Sequence, residues 1–338
     1  MPKLYWITNL RVLATIIVVL IHTSGGMLFH YKTIPHSWWW IGNIISSFGR
    51  FSVPVFVMIS GALLLGRDIE LFPFLQKRFI RVWVPFTIWV IIYVLYHNIF
   101  ERNPHSFQKA FLDYLTLGGG LYGHLWFVYM ILGLYLLTPF INHFVLKATN
   151  QEINFFLLLC FISCSVFPLI NKFFGLVIKL DLQNLGGYLG YFVAGYILKN
   201  REFNWNKWFY VAGFAIGFGI AIFGNYWLII PQGKLDDYFY HYLSPNIILM
   251  SLSIFLFFKE TSNKAFYPSI MDNLDKASFG IYLSHYLIIT ILSHKFSINW
   301  RWNAPIIGIF THAILTLIIS YLLIWVLSKL PKSHWITG

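Results

Sequence analysis

Two ionisable residues in the first hydrophobic segment have the spacing of a shared helix face. Arg11 and His22 are eleven residues apart, a separation that turns a helix by about 20° more than three full turns and spans about 16 Å along its axis. A guanidinium binds anions, and an imidazole can act as a general base near neutral pH. The spacing predicts that both residues line one cavity inside the protein. Alternatively, Arg11 is a flanking charge that reaches the headgroups, and His22 is hydrogen-bonded to a neighbouring helix.

Ionisable residues at membrane depth are costly, so each one within a hydrophobic segment is a functional candidate. Besides Arg11 and His22 these are Arg50, His285 and His312, whereas all twelve Asp and Glu fall in loops or at segment ends. A site of cations and imidazoles suits an anionic substrate rich in phosphate. A proton-coupled transporter would usually need an intramembrane carboxylate. Arg50 lies about nine residues from the outer end of its segment, where no carboxylate is expected to form an ion pair with it.

Arg78 and Arg81 stand one helical turn apart at the start of the third hydrophobic segment. Positive charge commonly flanks a membrane span on the cytoplasmic side. The same pair could instead form a clamp for phosphate groups that faces the cytosol. Both interpretations are open on the sequence alone.

Two further pairs combine a histidine with an aromatic residue. His124 and Trp126 open the fourth segment at its outer end, where they form either an interfacial aromatic belt or a substrate contact. Tyr282 and His285 lie near the middle of the ninth segment. A buried, hydrogen-bonded histidine is the alternative to a substrate contact there.

The composition is that of a membrane protein. Hydrophobic residues make up 58% of the 338 residues and charged residues 11%, whereas a soluble domain has about 25% charged residues. The net charge of +12 does not come from a basic stripe, so no nucleic-acid partner is expected. No metal-ligand spacing such as C-x-x-C occurs, so no metal is expected.

Trp300 and Trp302 precede the tenth segment, and indole rings prefer the headgroup level.

Ten segments are long and apolar enough to be read as membrane spans, for which about 20 residues are needed. They cover approximately 5–28, 41–65, 82–100, 124–146, 153–171, 184–198, 208–230, 244–258, 278–294 and 304–328. The first lacks a cleavage site of small residues and is expected to be a retained helix. No linker or repeat divides the segments, so we predict one all-α transmembrane domain over residues 1–338.

The distribution of Lys and Arg predicts the orientation. Fourteen of the 24 lie in loops on the side of the N-terminus, eight lie on the opposite side, and two lie within segments. Cytoplasmic loops carry the excess of positive charge. We therefore expect both termini in the cytoplasm.

Five motifs together resemble the acyltransferase 3 family of integral-membrane acyltransferases, which modify bacterial surface glycans. In the family's order they are YWITNLRVLATIIVVLIH, FGRFSVPVFVMISG, KRFIRVWVPF, HLWFVYMILGLYLLTP and GIYLSHYLII. The first contains the family's signature of an Arg and a His separated by ten residues. The resemblance covers essentially the whole chain. One departure is Thr8, because many members carry an acidic residue three positions before the Arg, and that role is absent here or supplied elsewhere.

The resemblance implies an enzyme of the bacterial inner membrane that transfers an acyl group, usually acetyl from acetyl-CoA, to a sugar hydroxyl at the outer face. The expected partners are the lipid bilayer and a glycan or lipid-linked saccharide, such as a precursor of a polysaccharide or lipopolysaccharide. The oligomeric state is left open. The competing function is a transporter of a glycan or lipid-linked sugar, which would have a throughway and no need for CoA.

Under this resemblance, Arg78 and Arg81 bind the CoA phosphates and Arg11 holds the upper part of the cofactor. His22 is the general base or a transient carrier of the acetyl group, and Arg50 stabilises the oxyanion. The acceptor enters from the outer loops, and its expected contacts are His124, Trp126, Tyr282 and His285.

Overall fold

The computed structural model describes residues 4–100, 123–178, 183–262, 264 and 267–338. All regular secondary structure in these ranges is helical, which confirms the prediction of an all-α protein. Four cations of the charge count, Lys3, Arg102, Lys109 and Lys179, lie outside the described residues.

Thirteen α-helices are labelled here in chain order within the described ranges. They are α1 Tyr5–Ser24, α2 His36–Gly49, α3 Ser52–Leu64, α4 Leu71–Phe100, α5 Trp126–Lys147, α6 Asn150–Phe161, α7 Phe167–Phe174, α8 Gln183–Asn200, α9 Lys207–Gln232, α10 Pro245–Thr261, α11 Pro268–Phe296, α12 Pro305–Leu327 and α13 His334–Thr337. Short 3₁₀ turns at Gly25–His30, Gly123–Leu125 and Tyr238–Tyr240 extend α1, α5 and α10, and a π-helical turn at Ile162–Val166 joins α6 to α7.

Within the described part of the chain, eight helical stretches are long and apolar enough to cross a membrane. They are Tyr5–His30, His36–Leu64, Leu71–Phe100, Gly123–Lys147, Asn150–Phe174, Lys207–Pro231, Tyr238–Thr261 and Pro305–Leu327. They correspond to eight of the ten predicted segments. The sixth and ninth segments fall within α8 and α11, which are helical but are not among the eight. The count of ten spans therefore stays a prediction.

Several helices are longer than the hydrophobic segments that predicted them. The helix α4 begins at Leu71 and α11 at Pro268, each about three turns before the predicted starts at 82 and 278. The reason is that hydropathy marks apolar composition, whereas the backbone hydrogen bonds of a helix continue through charged residues. Both extensions carry charge, which includes Arg78 and Asp275.

The second predicted span is broken into α2 and α3 at Arg50 and Phe51. Proline has no backbone N–H, so Pro54 cannot donate a hydrogen bond to the carbonyl of Arg50, and its ring crowds that carbonyl. The Ser52 hydroxyl donates to the Gly49 carbonyl at 2.8 Å, across the break. The helix α2 starts at His36, so Arg50 lies deeper than the predicted nine residues from the end of the span.

The helix α1 is at the centre of the helix bundle. It packs against α2, α3, α10, α11 and α12. The side chains of Leu10, Ala14 and Val19 are completely or almost completely buried. Because α1 is surrounded by other helices, the polar residues that it carries face protein.

Close backbone approach is concentrated where α3 packs against α8. A Cβ atom added at Gly61 would lie 1.8 Å from the carbonyl oxygen of Phe192, and one added at Gly195 would lie 1.9 Å from that of Met58. Small residues of this kind allow membrane helices to approach closely. Any larger side chain would push the two helices apart.

We predict that Gly61→Ala and Gly195→Ala each lower the thermal unfolding midpoint of the purified protein in detergent. Overpacking of a tight contact costs about 1–3 kcal/mol. The matched control is Gly133→Ala in α5, because a Cβ there meets nothing within 4 Å. A midpoint for either variant equal to that of the control would contradict the close approach of α3 and α8.

Candidate active site

Two histidines from distant parts of the chain form a hydrogen-bonded pair inside the bundle. His22 is in the last turns of α1, and His285 is in the middle of α11. The Nδ1 atom of His22 lies 3.1 Å from the Nε2 atom of His285, and the ring centroids are 5.0 Å apart. His285 is completely buried, whereas His22 is partly accessible.

The contacts of this pair define the positions of its protons when both rings are neutral. The Nδ1 atom of His285 lies 2.6 Å from the carbonyl oxygen of Tyr282 and 3.2 Å from that of Ile281. A carbonyl only accepts, so this Nδ1 carries the hydrogen and the Nε2 atom of His285 has the lone pair. His22 must then donate from Nδ1. The Nε2 atom of His22 is left with its lone pair, which is the form a general base requires.

His124 lies beside this pair, and this corrects the prediction that it is at the outer surface. It is only 6% exposed, and its ring centroid is 6.0 Å from that of His22 and 5.2 Å from that of His285. The 3₁₀ turn before α5 directs the side chain inward. The ring stacks on Tyr286 at 4.7 Å, and the Tyr282 hydroxyl donates to the backbone carbonyl of His124.

Trp126 lies apart from the histidines. Its ring stacks on Tyr242 at 5.8 Å and packs against Tyr188 at 5.5 Å. Of the four predicted substrate contacts, the structure thus places His124, Tyr282 and His285 together around His22, whereas Trp126 belongs to a neighbouring aromatic cluster.

A cavity of about 410 Å³, called here the basic cavity, contains the predicted basic residues. Along α1 it is lined first by Arg11 and then by Val18, and along α11 first by Lys276 and then by Tyr282. The cations therefore occupy one end and apolar and aromatic side chains the other. The five cations of the lining are Arg11, Arg67, Arg78, Arg81 and Lys276.

Sequence reasoning identified three of these cations as ligand-binding candidates and missed Arg67 and Lys276. Both were counted only as cytoplasmic loop charges. The only sequence signal for a binding role of Arg67 and Lys276 was that each lies near a helix end that carries other cations. The Nε atom of Arg78 is buried and has no hydrogen-bond partner among the described residues, so this guanidinium retains capacity to bind a ligand.

A second cavity, called here the His30 cavity, lies further along the same helices and has a volume of about 310 Å³. His22 and His30 line it from α1 and its 3₁₀ extension, and Ile289 lines it from α11. Val18 of the basic cavity is one turn before His22, and Tyr282 and Ile289 lie on either side of His285. The histidine pair is therefore at the boundary between the two cavities.

This arrangement contradicts the prediction that Arg11 and His22 line one cavity. Arg11 lines the basic cavity and His22 the His30 cavity. Both residues do face protein. The two residues do share a face of α1. The contact between the rings of His22 and His285 lies along that face and separates the two cavities.

Arg11 has a carboxylate partner, which the sequence analysis did not predict. Its Nη1 atom lies 2.7 Å from Oδ1 of Asp275, with the two side chains 23% and 19% exposed. Asp275 belongs to the N-terminal extension of α11, outside the predicted hydrophobic segment. Thr8 on α1 has no carboxylate to place beside Arg11. Asp275 supplies one from another helix.

Arg50 lies at the break between α2 and α3 and is close enough to His22 for their charges to interact. Its guanidinium carbon is 4.4 Å from the centroid of the Tyr240 ring, and the buried Nε atom has no hydrogen-bond partner among the described residues. Arg50 is not among the residues that line the basic cavity or the His30 cavity. A cation–π contact takes the place of an ion pair in stabilising this charge.

We predict an energetic coupling between Arg11 and Asp275 in a double-mutant cycle. Unfolding free energies of Arg11→Gln, Asp275→Asn and the double variant, measured by SDS titration, should give a coupling of about 1 kcal/mol or more, because the two charges are in contact. The control cycle combines Asp275→Asn with Lys207→Gln at the start of α9. If both cycles gave the same coupling, the ion pair would be absent in the membrane protein.

The model of the acyltransferase 3 family, described as an acyltransferase domain, matches residues 4–325. No curated protein and no solved structure matches the chain. Because the family model covers nearly the whole sequence, the chain belongs to the acyltransferase 3 family and is a multi-pass membrane acyltransferase.

Proposed function

We propose that this enzyme transfers an acetyl group from cytosolic acetyl-CoA to a sugar hydroxyl at the outer face of the bacterial inner membrane. The observation that carries the proposal is the position of the His22–His285 pair between two cavities. One cavity has the chemistry to hold a phosphate-rich donor. The other gives an acceptor access to His22 from the opposite end of the bundle.

The donor is assigned to the basic cavity. Its five cations at one end suit the phosphate groups of CoA, since guanidinium groups form charge-assisted hydrogen bonds with phosphate oxygens. The apolar and aromatic lining beyond them suits the extended, uncharged pantetheine arm. Arg11 and His22 are separated by about 16 Å along α1, which is comparable to the reach of that arm.

The proposed reaction begins at the lone pair on Nε2 of His22. This nitrogen removes the proton of the acceptor hydroxyl as the hydroxyl oxygen attacks the thioester carbonyl carbon. The C–S bond then breaks, the acetyl ester forms, and the CoA sulfur receives the proton from His22. An acetyl group carried transiently on His22 would use the same nitrogen as a nucleophile.

Arg50 and His285 have supporting roles in this proposal. The Arg50 charge, close to His22, would stabilise the negative oxygen of the tetrahedral intermediate. His285 is a positioning residue, because its hydrogen bond holds the His22 ring in the tautomer with a free Nε2. We assign both termini and the mouth of the basic cavity to the cytoplasm from the excess of Lys and Arg on that side.

The acceptor class rests on the sequence resemblance. The five sequence motifs resemble those of enzymes that modify bacterial surface glycans, so we propose that the acceptor is a cell-surface polysaccharide, a lipopolysaccharide or a lipid-linked precursor. The test is to incubate the purified protein with acetyl-CoA labelled in the acetyl group and a lipid-linked glycan fraction. We expect label in the glycan as an alkali-labile ester. Movement of unlabelled glycan across proteoliposomes without acetyl transfer would instead indicate a transporter.

We predict that Arg78→Ala raises the KM for acetyl-CoA about 10- to 100-fold and changes kcat much less. The variant loses one charge-assisted hydrogen bond to phosphate. The matched control is Lys77→Ala, because Lys77 is the adjacent cation, is exposed and does not line the basic cavity. A normal KM with a collapsed kcat would exclude Arg78 from phosphate binding.

A further inference from the structure

The His30 cavity has a lining that the proposed reaction does not by itself require. Two of its residues, Trp300 and Arg301, come from the connection between α11 and α12. The guanidinium of Arg301 lies 4.5 Å from the centroid of the Trp300 ring. The backbone N–H of Arg301 donates to Oδ1 of Asn299 at 2.9 Å, which orders the connection. Among the described residues that line this cavity there is no Asp or Glu.

His312 lines the same cavity, and one nitrogen of its ring has no hydrogen-bond partner among the described residues. The side chain is only 2% exposed, and its Nε2 lies 3.3 Å from the carbonyl oxygen of Ile289, to which it can only donate. The neutral ring therefore has its lone pair on Nδ1. This atom is buried and has no hydrogen-bond partner among the described residues. A buried acceptor without a partner is costly, and a hydroxyl group of a ligand would satisfy it.

We propose that the His30 cavity binds a saccharide that carries an anionic group, either a carboxylate or a phosphate. The face of the Trp300 ring opposite Arg301 packs against the sugar ring. Arg301 forms a charge-assisted hydrogen bond with the anionic oxygens. His312 accepts a hydrogen bond from one hydroxyl, and a second hydroxyl faces His22.

This proposal rests on the proposed function only in one respect, namely that the saccharide is the acetyl acceptor. Binding of the saccharide does not depend on that function. The lining favours an acidic over a neutral sugar, because Arg301 supplies a cation and the described part of the lining has no carboxylate to balance it. A neutral sugar would cover the Trp300 ring but leave the Arg301 guanidinium without an anionic ligand. The structure therefore assigns a charge requirement to the acceptor.

The test measures binding of three probes in the absence of acetyl-CoA. The protein is labelled with 5-fluorotryptophan, and the ¹⁹F resonance of Trp300 is identified by its loss in Trp300→Phe. Cellobiouronic acid carries a carboxylate, glucose 1-phosphate carries a phosphate, and cellobiose is neutral. We expect the Trp300 resonance to shift with at least one anionic probe at concentrations about tenfold or more below those needed for cellobiose. The anionic probe that binds more tightly identifies the source of the charge.

The variant Arg301→Gln should weaken binding of that anionic probe about tenfold or more and leave cellobiose unchanged. The matched control is Lys295→Gln, which removes a cation from the end of α11 that does not line the cavity, and it should leave all three probes unchanged. The proposal would be overturned if neither anionic probe bound more tightly than cellobiose. It would also be overturned by the absence of a Trp300 shift with every probe at millimolar concentration.

Failure of this proposal and failure of the proposed function give different results. If the anionic probe binds at Trp300 but no labelled acetyl group reaches any glycan, the function is wrong and the binding site stands. If acetyl transfer to a glycan occurs with no probe bound at Trp300, the acceptor enters elsewhere and the binding site is wrong.

Discussion

The hydrogen bond between His22 and His285 is the interaction on which the geometry of the site depends. It joins α1, the central helix, to α11, and it lies at the boundary between the basic cavity and the His30 cavity. The carbonyl of Tyr282 fixes the far side of the His285 ring. Because the Nδ1–H groups of both rings already donate hydrogen bonds and Nε2 of His285 accepts one, only Nε2 of His22 is left to take a proton. The same hydrogen bond therefore positions the reactive atom and defines its tautomer.

A second constraint is the cost of charge within the membrane, and the protein meets it differently at each cation. Arg11 pairs with Asp275, whereas Arg50 lies over the ring of Tyr240. Arg78 stays near the end of the bundle with a buried Nε that has no described partner. An ion pair lowers the affinity of a cation for further anions, while an unpaired guanidinium retains it. This difference supports phosphate binding at Arg78 and a positioning contact at Arg11.

The sequence alone was sufficient for the parts of the structure that depend on local pattern. Hydropathy gave the all-helical fold, and helical periodicity placed Arg11 and His22 toward the interior. The break at Arg50 could also have been predicted, because Pro54 removes the hydrogen bond to the Arg50 carbonyl. Contacts between residues that are far apart in the sequence could not be predicted. The partners Arg11 and Asp275 are 264 residues apart in the chain, and the hydropathy pattern excluded Asp275 from its helix.

The burial of His124 was missed for a related reason. A histidine before a tryptophan at a span terminus has the composition of an interfacial belt, and only the 3₁₀ turn at Gly123–Leu125 shows that its ring faces inward. Similarly, the tryptophans before the last span were interpreted as headgroup anchors. Trp300 also lines the His30 cavity, which several helices form together, and the sequence pattern did not show this.

The most direct test of the role of His22 is a comparison of acetyl transfer and acetyl-CoA binding in His22→Gln, with His22→Ala as a second variant. Glutamine keeps hydrogen-bonding capacity but has no basic nitrogen. General base catalysis contributes about 10²–10⁴-fold, so both variants should transfer label at least a hundredfold more slowly and bind acetyl-CoA with affinity close to that of the wild type. More than a tenth of wild-type turnover in either variant would make His22 a structural residue and would move the base to His124 or His285.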